Sequence, residues 1–179
     1  MKKKKIICII GRSGSGKTTV AKYLEEIYGL KSIQSYTTRP KRKPNETGHT
    51  FVTEDEFDEI RGDAVAYNLY NGYEYAATKA QIEENDIYVV DIPGLLELKE
   101  KYDGSKEIVV VGLFVDGSTA LQRMMNRGDS LLKIFERLES DTCFANLAQY
   151  CDLYIQTDNS SPATIAKTIA AYLEFDNAR

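Results

Sequence analysis

The chain has 179 residues, 42% hydrophobic and 28% charged, the composition of an ordinary globular protein long enough to build a core without disulfides or structural metal. With 23 Lys+Arg against 27 Asp+Glu and a formal charge of -4 it has no general basic field, so nucleic acid is excluded as a non-specific partner and an anionic ligand needs a local basic site. Cys8, Cys143 and Cys151 make no CxxC pair and read as reduced apolar fillers, while the one histidine, His49, argues against a dedicated zinc site.

The basic run Lys2–Lys5 is followed by an apolar stretch, Ile6–Ile10, that is too short for a secretion signal, and no stretch approaches membrane-spanning length. A cytoplasmic chain with no membrane partner is the expectation. Ile6–Ile10 reads instead as a strand buried on both faces. Gly11-Arg-Ser-Gly-Ser-Gly-Lys-Thr18 follows it and fits G-x-x-x-x-G-K-[ST], opening a helix whose apolar residues Val20, Ala21, Leu24 and Ile27 recur until Gly29. In that setting Gly11, Gly14 and Gly16 let consecutive N–H groups turn toward phosphate oxygens, and the helix start adds partial positive charge. Gly11, Ser13, Gly14, Ser15, Gly16, Lys17, Thr18 and Thr19 form the expected ATP site, with Lys17 reaching the β and γ phosphates and the Thr18 hydroxyl on magnesium. The alternative is a glycine-rich turn with an exposed lysine.

Thr37-Thr38-Arg39-Pro40-Lys41-Arg42-Lys43 places four cations in five positions. Beside a phosphate loop, forked guanidinium donors at Arg39 and Arg42 suit a second, already phosphorylated substrate; the alternative is a solvated basic loop. Capping-box spacings at Thr53/Glu56 and Thr78/Gln81 predict helices over 54–61 and 79–85. Between them Tyr67–Tyr75 is aromatic-rich, and Asn71-Gly72 predicts a type I′ turn joining two short antiparallel strands.

Ile87–Asp91 and Ile108–Val115 are further buried-strand candidates, Leu153–Gln156 a shorter one, and Ser161-Pro162 starts a last helix over 162–174. Asp91 ends its strand where a magnesium-associated carboxylate is expected, acting through water, or it caps a helix before Pro93; Asp116 reads as a turn residue. Arg123, Arg127 and Arg137 surround a Gly128-Asp129-Ser130 break that can hinge a lid, or they are solvated partners of Glu136 and Glu139. Alternating strands and helices predict an α/β fold, a three-layer sandwich with a parallel central sheet. The expected division is a core of 1–33, 84–122 and 149–179, an acceptor-binding insertion over about 34–83 and a helical lid over about 123–148.

The ordered set GRSGSGKTT, SYTTRPKR, NGYEYAATKA, VVDI, RMMNRGDS with FERL, and YIQTDNSS resembles the guanylate kinase family over nearly the whole chain. The resemblance implies that ATP and magnesium phosphorylate a nucleoside monophosphate, nominally GMP or dGMP. It places Ser35, Arg39, Arg42 and Tyr75 around the acceptor phosphate, Arg127 in the lid and Arg137 near the transferring phosphate. Lys17, Arg39, Arg127 and Arg137 are then the expected catalytic residues. The departures fall on base recognition: Ala66 stands where the family has a guanine-binding acid, Ala77 where it has a hydroxyl, Pro93 where it has a second acid, and His49 where it has an acceptor-loop tyrosine. Glu74 or Asn68 are candidates to compensate, and His49 either donates to a phosphate or is an exposed loop residue. Kinases of the same fold that phosphorylate ribose 1,5-bisphosphate are similar in lacking the acid and in having the histidine. Guanylate-kinase-like domains that bind proteins without catalysis are a further alternative, opposed by the complete Lys17-Thr18 loop.

Overall fold

The computed structural model describes residues 4–174, the side chains of 143 and 145 excepted. The Cys143 side chain, expected as a core filler, therefore lies outside what the structure describes, as do the first residues of the basic run. The elements in order are β1 (Lys5–Ile10), α1 (Lys17–Tyr28), β2 (Ser35–Thr37), β3 (His49–Phe51), α2 (Glu54–Arg61), β4 (Ala64–Tyr70), β5 (Tyr73–Thr78), α3 (Lys79–Glu84), β6 (Ile87–Val89), α4 (Ile92–Lys101), β7 (Glu107–Phe114), α5 (Gly117–Asn126), α6 (Leu131–Ser140), a 3-10 segment (Asp141–Tyr150), β8 (Leu153–Gln156) and α7 (Pro162–Leu173). The fold is α/β: one sheet is all parallel, in the order β6-β1-β7-β8, and a second has the order β3-β2-β5-β4. The described residues divide into two compact units, one of residues 4–6 and 31–108, the other of 7–30 and 109–174.

In the second unit the core is aliphatic. Ile7, Cys8, Ile9 and Ile10 of β1 and Val110, Val111 and Leu113 of β7 are fully buried, as a continuous apolar run demands when both faces of a strand are covered. Burying each isoleucine removes a side chain worth about 2–3 kcal/mol from water. α1 packs on α7 through Val20, Ala21 and Leu24 on one side and Ile165, Ala166, Ile169 and Ala170 on the other. Gly29 ends α1 in a left-handed conformation, its N–H donating to Glu25 O at 3.0 Å. β8 runs parallel to β7 with Val111 opposite Leu153, and Cys151, which is in no disulfide, is half-buried beside it.

The first unit holds the second sheet. β4 and β5 form an antiparallel hairpin whose turn residues Asn71 and Gly72 both have positive φ, 50° and 78°, the type I′ geometry that matches strand twist. β2 lies beside β5 antiparallel and pairs with β3 in parallel, Ser35 opposite His49. Three residues are too few to show an alternating pattern, which is why β2 and β3 escape sequence reading. α2 and α3 both open on complete capping boxes, at Thr53/Glu56 and Thr78/Gln81. α4 packs on β4, with Leu95 and Leu98 fully buried. Among the described residues no helix is long and apolar enough to cross a membrane.

Candidate functional site

The phosphate loop lies between β1 and α1 and is shaped by close approach. A Cβ on Gly11 would stand 2.4 Å from Leu113 O, and one on Gly14, whose φ is 79°, would stand 2.8 Å from Ala120 O, so only glycine lets the loop lie this near β7 and α5. Among the described helices, α2 to α7 are each capped by a side chain, from Thr53, Thr78, Asp91, Asp116, Ser130 and Ser161. α1 differs. It starts on Gly16 with no side-chain cap and no acid in its first turn, which leaves its N–H groups to a ligand.

Lys17 is the first residue of α1, and its Nζ donates to Gly11 O at 2.5 Å and to Arg12 O at 3.1 Å, so the ammonium folds back over its own loop. The Ser15 hydroxyl is buried and unpartnered. A cavity of about 490 Å³ opens here, lined by the loop from Ser13 to Val20, by Arg123, Arg127 and Arg137, and by Thr157, Ser160, Pro162 and Ile165. The expected loop residues Ser13 to Thr19 and the three arginines expected around the lid hinge are thus brought to one cavity. The Arg127 guanidinium forks onto Asp129, at 2.5 and 3.2 Å, and Arg137 Nε stands 3.7 Å from the same carboxylate. Both arginines meet Asp129, and the hydrogen bond from Arg127 together with the charge of both arginines holds its carboxyl below the ordinary aspartate range.

Sequence reading gave Arg123 no role apart from the lid. Its Nη1 donates to Gly14 O and to Thr157 Oγ1, both at 3.1 Å, and its Nη2 to Thr157 O at 2.7 Å, so it ties the phosphate loop to the strand end after β8. Nothing local marks it, because its partners stand 109 and 34 residues away. Arg123→Ala is expected to lower stability by about 2–3 kcal/mol in chemical denaturation and to weaken ATP binding severalfold in a nucleotide titration. Unchanged values in both would make the clamp dispensable. Asp141 is an acid at this loop: burial pushes its carboxyl above the ordinary value, and its Oδ2 accepts from Ser13 N at 2.9 Å.

The acceptor candidates gather in the other unit. Arg39 is only 7% exposed; its Nη2 donates to Glu46 Oε1 at 2.8 Å and its Nη1 to Glu46 Oε2 at 3.3 Å, while its Nε is buried without a partner. Its guanidinium lies 5.3 Å from the Phe51 ring centroid. Arg42 contributes its backbone N–H to Glu46 at 2.5 Å. His49 Nδ1 and Ser35 Oγ share a hydrogen bond of 2.9 Å, and the His49 ring stands edge-on to Tyr75 at 5.5 Å. His49 is therefore built into the cluster, and burial together with the Arg39 charge lowers its pKa, so it is a neutral partner there.

The positions expected to read a base are apolar. Ala66 and Ala77 are direct cross-strand partners, 1% and 0% exposed. The two candidate substitutes are occupied: Glu74 Oε1 accepts from Arg61 at 2.6 Å and from the Tyr67 hydroxyl at 3.0 Å, and the Asn68 amide donates to Asp91. Asp91 itself caps α4, accepting from Gly94 N at 2.9 Å, which is the helix-capping alternative of its two readings. Asp116 likewise caps α5, accepting from Thr119 N at 2.8 Å.

The model of the AAA domain family matches residues 7–143. Curated relatives are guanylate kinases: that of Fusobacterium nucleatum is 30% identical over 52% of this chain and 56% of its own length, that of Clostridium acetobutylicum 37% over 56% and 53%, and that of Salinibacter ruber 27% over 98% of both. The chain spans about half the length of the first two relatives. Among solved structures, the guanylate kinase of Anaplasma phagocytophilum superposes with a TM-score of 0.65 at 17% identity, covering 97% of this chain and 86% of that one. A sugar kinase from Janibacter sp. superposes at 0.57 and 15% identity, covering 96% and 95%.

Proposed function

Because the chain belongs to the AAA domain family and keeps a complete phosphate loop, we propose that it transfers the terminal phosphoryl group of ATP to a small phosphorylated acceptor, nominally a nucleoside monophosphate such as GMP or dGMP. One observation carries the reading. α1 presents an uncapped N-terminus to a cavity that also receives Lys17, Arg127 and Arg137, an assembly suited to a polyphosphate and to the charge spread over a transferring phosphoryl group. The guanylate kinase relatives point to the same chemistry.

Positioning and charge do the work. The loop N–H groups and Lys17 hold the donor phosphates, Arg127 and Arg137 neutralise charge on the phosphoryl group in flight, and Arg39, Arg42, Ser35, Tyr75 and His49 receive the acceptor phosphate. The donor chemistry fits magnesium, since the exposed Thr18 hydroxyl at the start of α1 is a hard oxygen ligand and the rest of the shell is left to phosphate and water. Thr18 would hold the ion, which when bound supplies charge to the phosphate oxygens. Asp91, committed to its helix cap and to Asn68, would act only through water.

The buried pair Ala66 and Ala77 favours a second reading of the acceptor, a phosphosugar such as ribose 1,5-bisphosphate, because neither position offers a polar atom to guanine. Coupled measurement of ADP formation with GMP, dGMP, AMP, other nucleotides and ribose 1,5-bisphosphate separates the readings. A guanine-selective site prefers GMP over AMP by a factor on the order of 10⁴. A flat nucleotide profile with turnover of the sugar bisphosphate selects the second reading, and ATP binding without any transfer selects a protein-binding domain that has lost catalysis.

A further inference from the structure

We propose that Asp129 is a positioning residue for the transfer step: its carboxylate, shared by Arg127 and Arg137, sets the spacing at which the two guanidinium groups meet the transferring phosphoryl group. The inference rests on the transfer reading above and extends it to Asp129, which the sequence marks only as part of the Gly128-Asp129-Ser130 break.

Two guanidinium groups repel, and each sits on a long side chain with many rotamers, so their convergence on one cavity needs a cause. Asp129 supplies it. Oδ1 and Oδ2 accept the Arg127 fork at 3.2 and 2.5 Å, and Oδ2 stands 3.7 Å from Arg137 Nε. The carboxylate is only 14% exposed, against 51% for Arg127 and 23% for Arg137, so the acid is the sheltered partner and the arginines are the ones that reach outward. A forked ion pair fixes the plane of a guanidinium as well as its place, which an isolated arginine does not achieve.

The backbone holds Asp129 as firmly as its side chain holds the arginines. Gly128, with φ 83°, closes α5 by donating to Met125 O at 2.9 Å, and Asp129 N donates to Met124 O at 3.2 Å. Ser130 then caps α6, accepting from Lys133 N at 3.4 Å. The ends of both helices are therefore satisfied without the Asp129 carboxylate, whose bonds among the described residues go to the arginines. An acid that caps no helix, yet joins two cations lining the nucleotide cavity, has its consequence in where those cations stand.

The test measures kcat and both KM values for the full chain with ATP and the acceptor that the panel identifies, together with thermal melting. Asp129→Asn is expected to lower kcat about tenfold or more, with each KM within about threefold and the melting temperature unchanged, because the arginines are most needed when charge moves. Asp129→Glu, which keeps the charge, is expected to recover kcat to within about threefold of the parent. In the Arg127→Ala background, Asp129→Asn is expected to lower kcat further, through Arg137, but by a smaller factor than in the parent, the mark of residues that act together. Parental kcat in Asp129→Asn overturns the inference. So does a loss that Asp129→Glu fails to recover, or one that follows a fall in melting temperature. A parent chain that binds ATP but transfers to no acceptor overturns the transfer reading, and this inference with it; the parent's turnover therefore tells the two failures apart.

Discussion

Lys17→Ala is expected to reduce kcat/KM by about 10³-fold or more while leaving the chain folded. In the proposed transfer the ammonium group is the cation that the phosphate loop itself brings to the donor, and it rests on two carbonyls of that loop, Gly11 O and Arg12 O. Those two bonds lie at a part-buried surface and their loss costs about 1–2 kcal/mol, because water replaces them. Transfer has no such substitute, since the charge must be in place as the phosphoryl group moves and water cannot be organised there without cost. ADP formation measured beside a thermal melt distinguishes the outcomes: an unfolded variant loses both signals, the expected one loses only the first. Full turnover in a folded Lys17→Ala protein would remove the donor half of the mechanism.

Arg39→Ala carries the acceptor half. It is expected to lower kcat/KM for the acceptor by about 10²-fold and to leave ATP affinity unchanged, since the residues lining the phosphate-loop cavity all belong to the other compact unit. Arg39 is buried, and its fork holds the Glu46 carboxylate at about 2 instead of 4.5. A carboxylate whose pKa falls on folding stabilises the protein above its unfolded value and loses that contribution as acid protonates it. The Arg39–Glu46 contribution is thus complete above about pH 4.5 and drains away toward pH 2, and Arg39→Ala should abolish that part of the acid dependence in a denaturation series. Arg39→Lys keeps the charge and loses the fork, so it should fold better than the alanine variant and still bind the acceptor weakly. Unchanged steady-state constants in both variants would refute the assignment.

Local chemistry was legible in the chain. The continuous β-branched run Ile6–Ile10, the glycine loop after it, the capping boxes at Thr53 and Thr78 and the Asn71-Gly72 turn all operate within a few residues, so their geometry follows from neighbours that the sequence prints side by side. The same holds for the phosphate loop and its lysine, where strand, turn and helix are consecutive. Even there sequence spacing left a choice: Asp91 before Pro93 points first to a strand-end metal carboxylate with a helix cap as the alternative, and the cap at Gly94 N becomes visible only in three dimensions.

What tertiary structure decided depends on partners far apart in the chain. Arg123 looked like one more lid cation until it met Gly14 and Thr157; Ala66 and Ala77 were two separate substitutions until β4 and β5 set them opposite each other; Glu74 was available to a base until Arg61 and Tyr67 claimed it. β2 and β3 exist only because their three-residue segments find β5 and each other. The physical reason is common to all of these: a cap or a turn is a bond between near neighbours, written in residue type and spacing, whereas a long-range pair is chosen by the packing of whole elements, which leaves no mark on either residue alone.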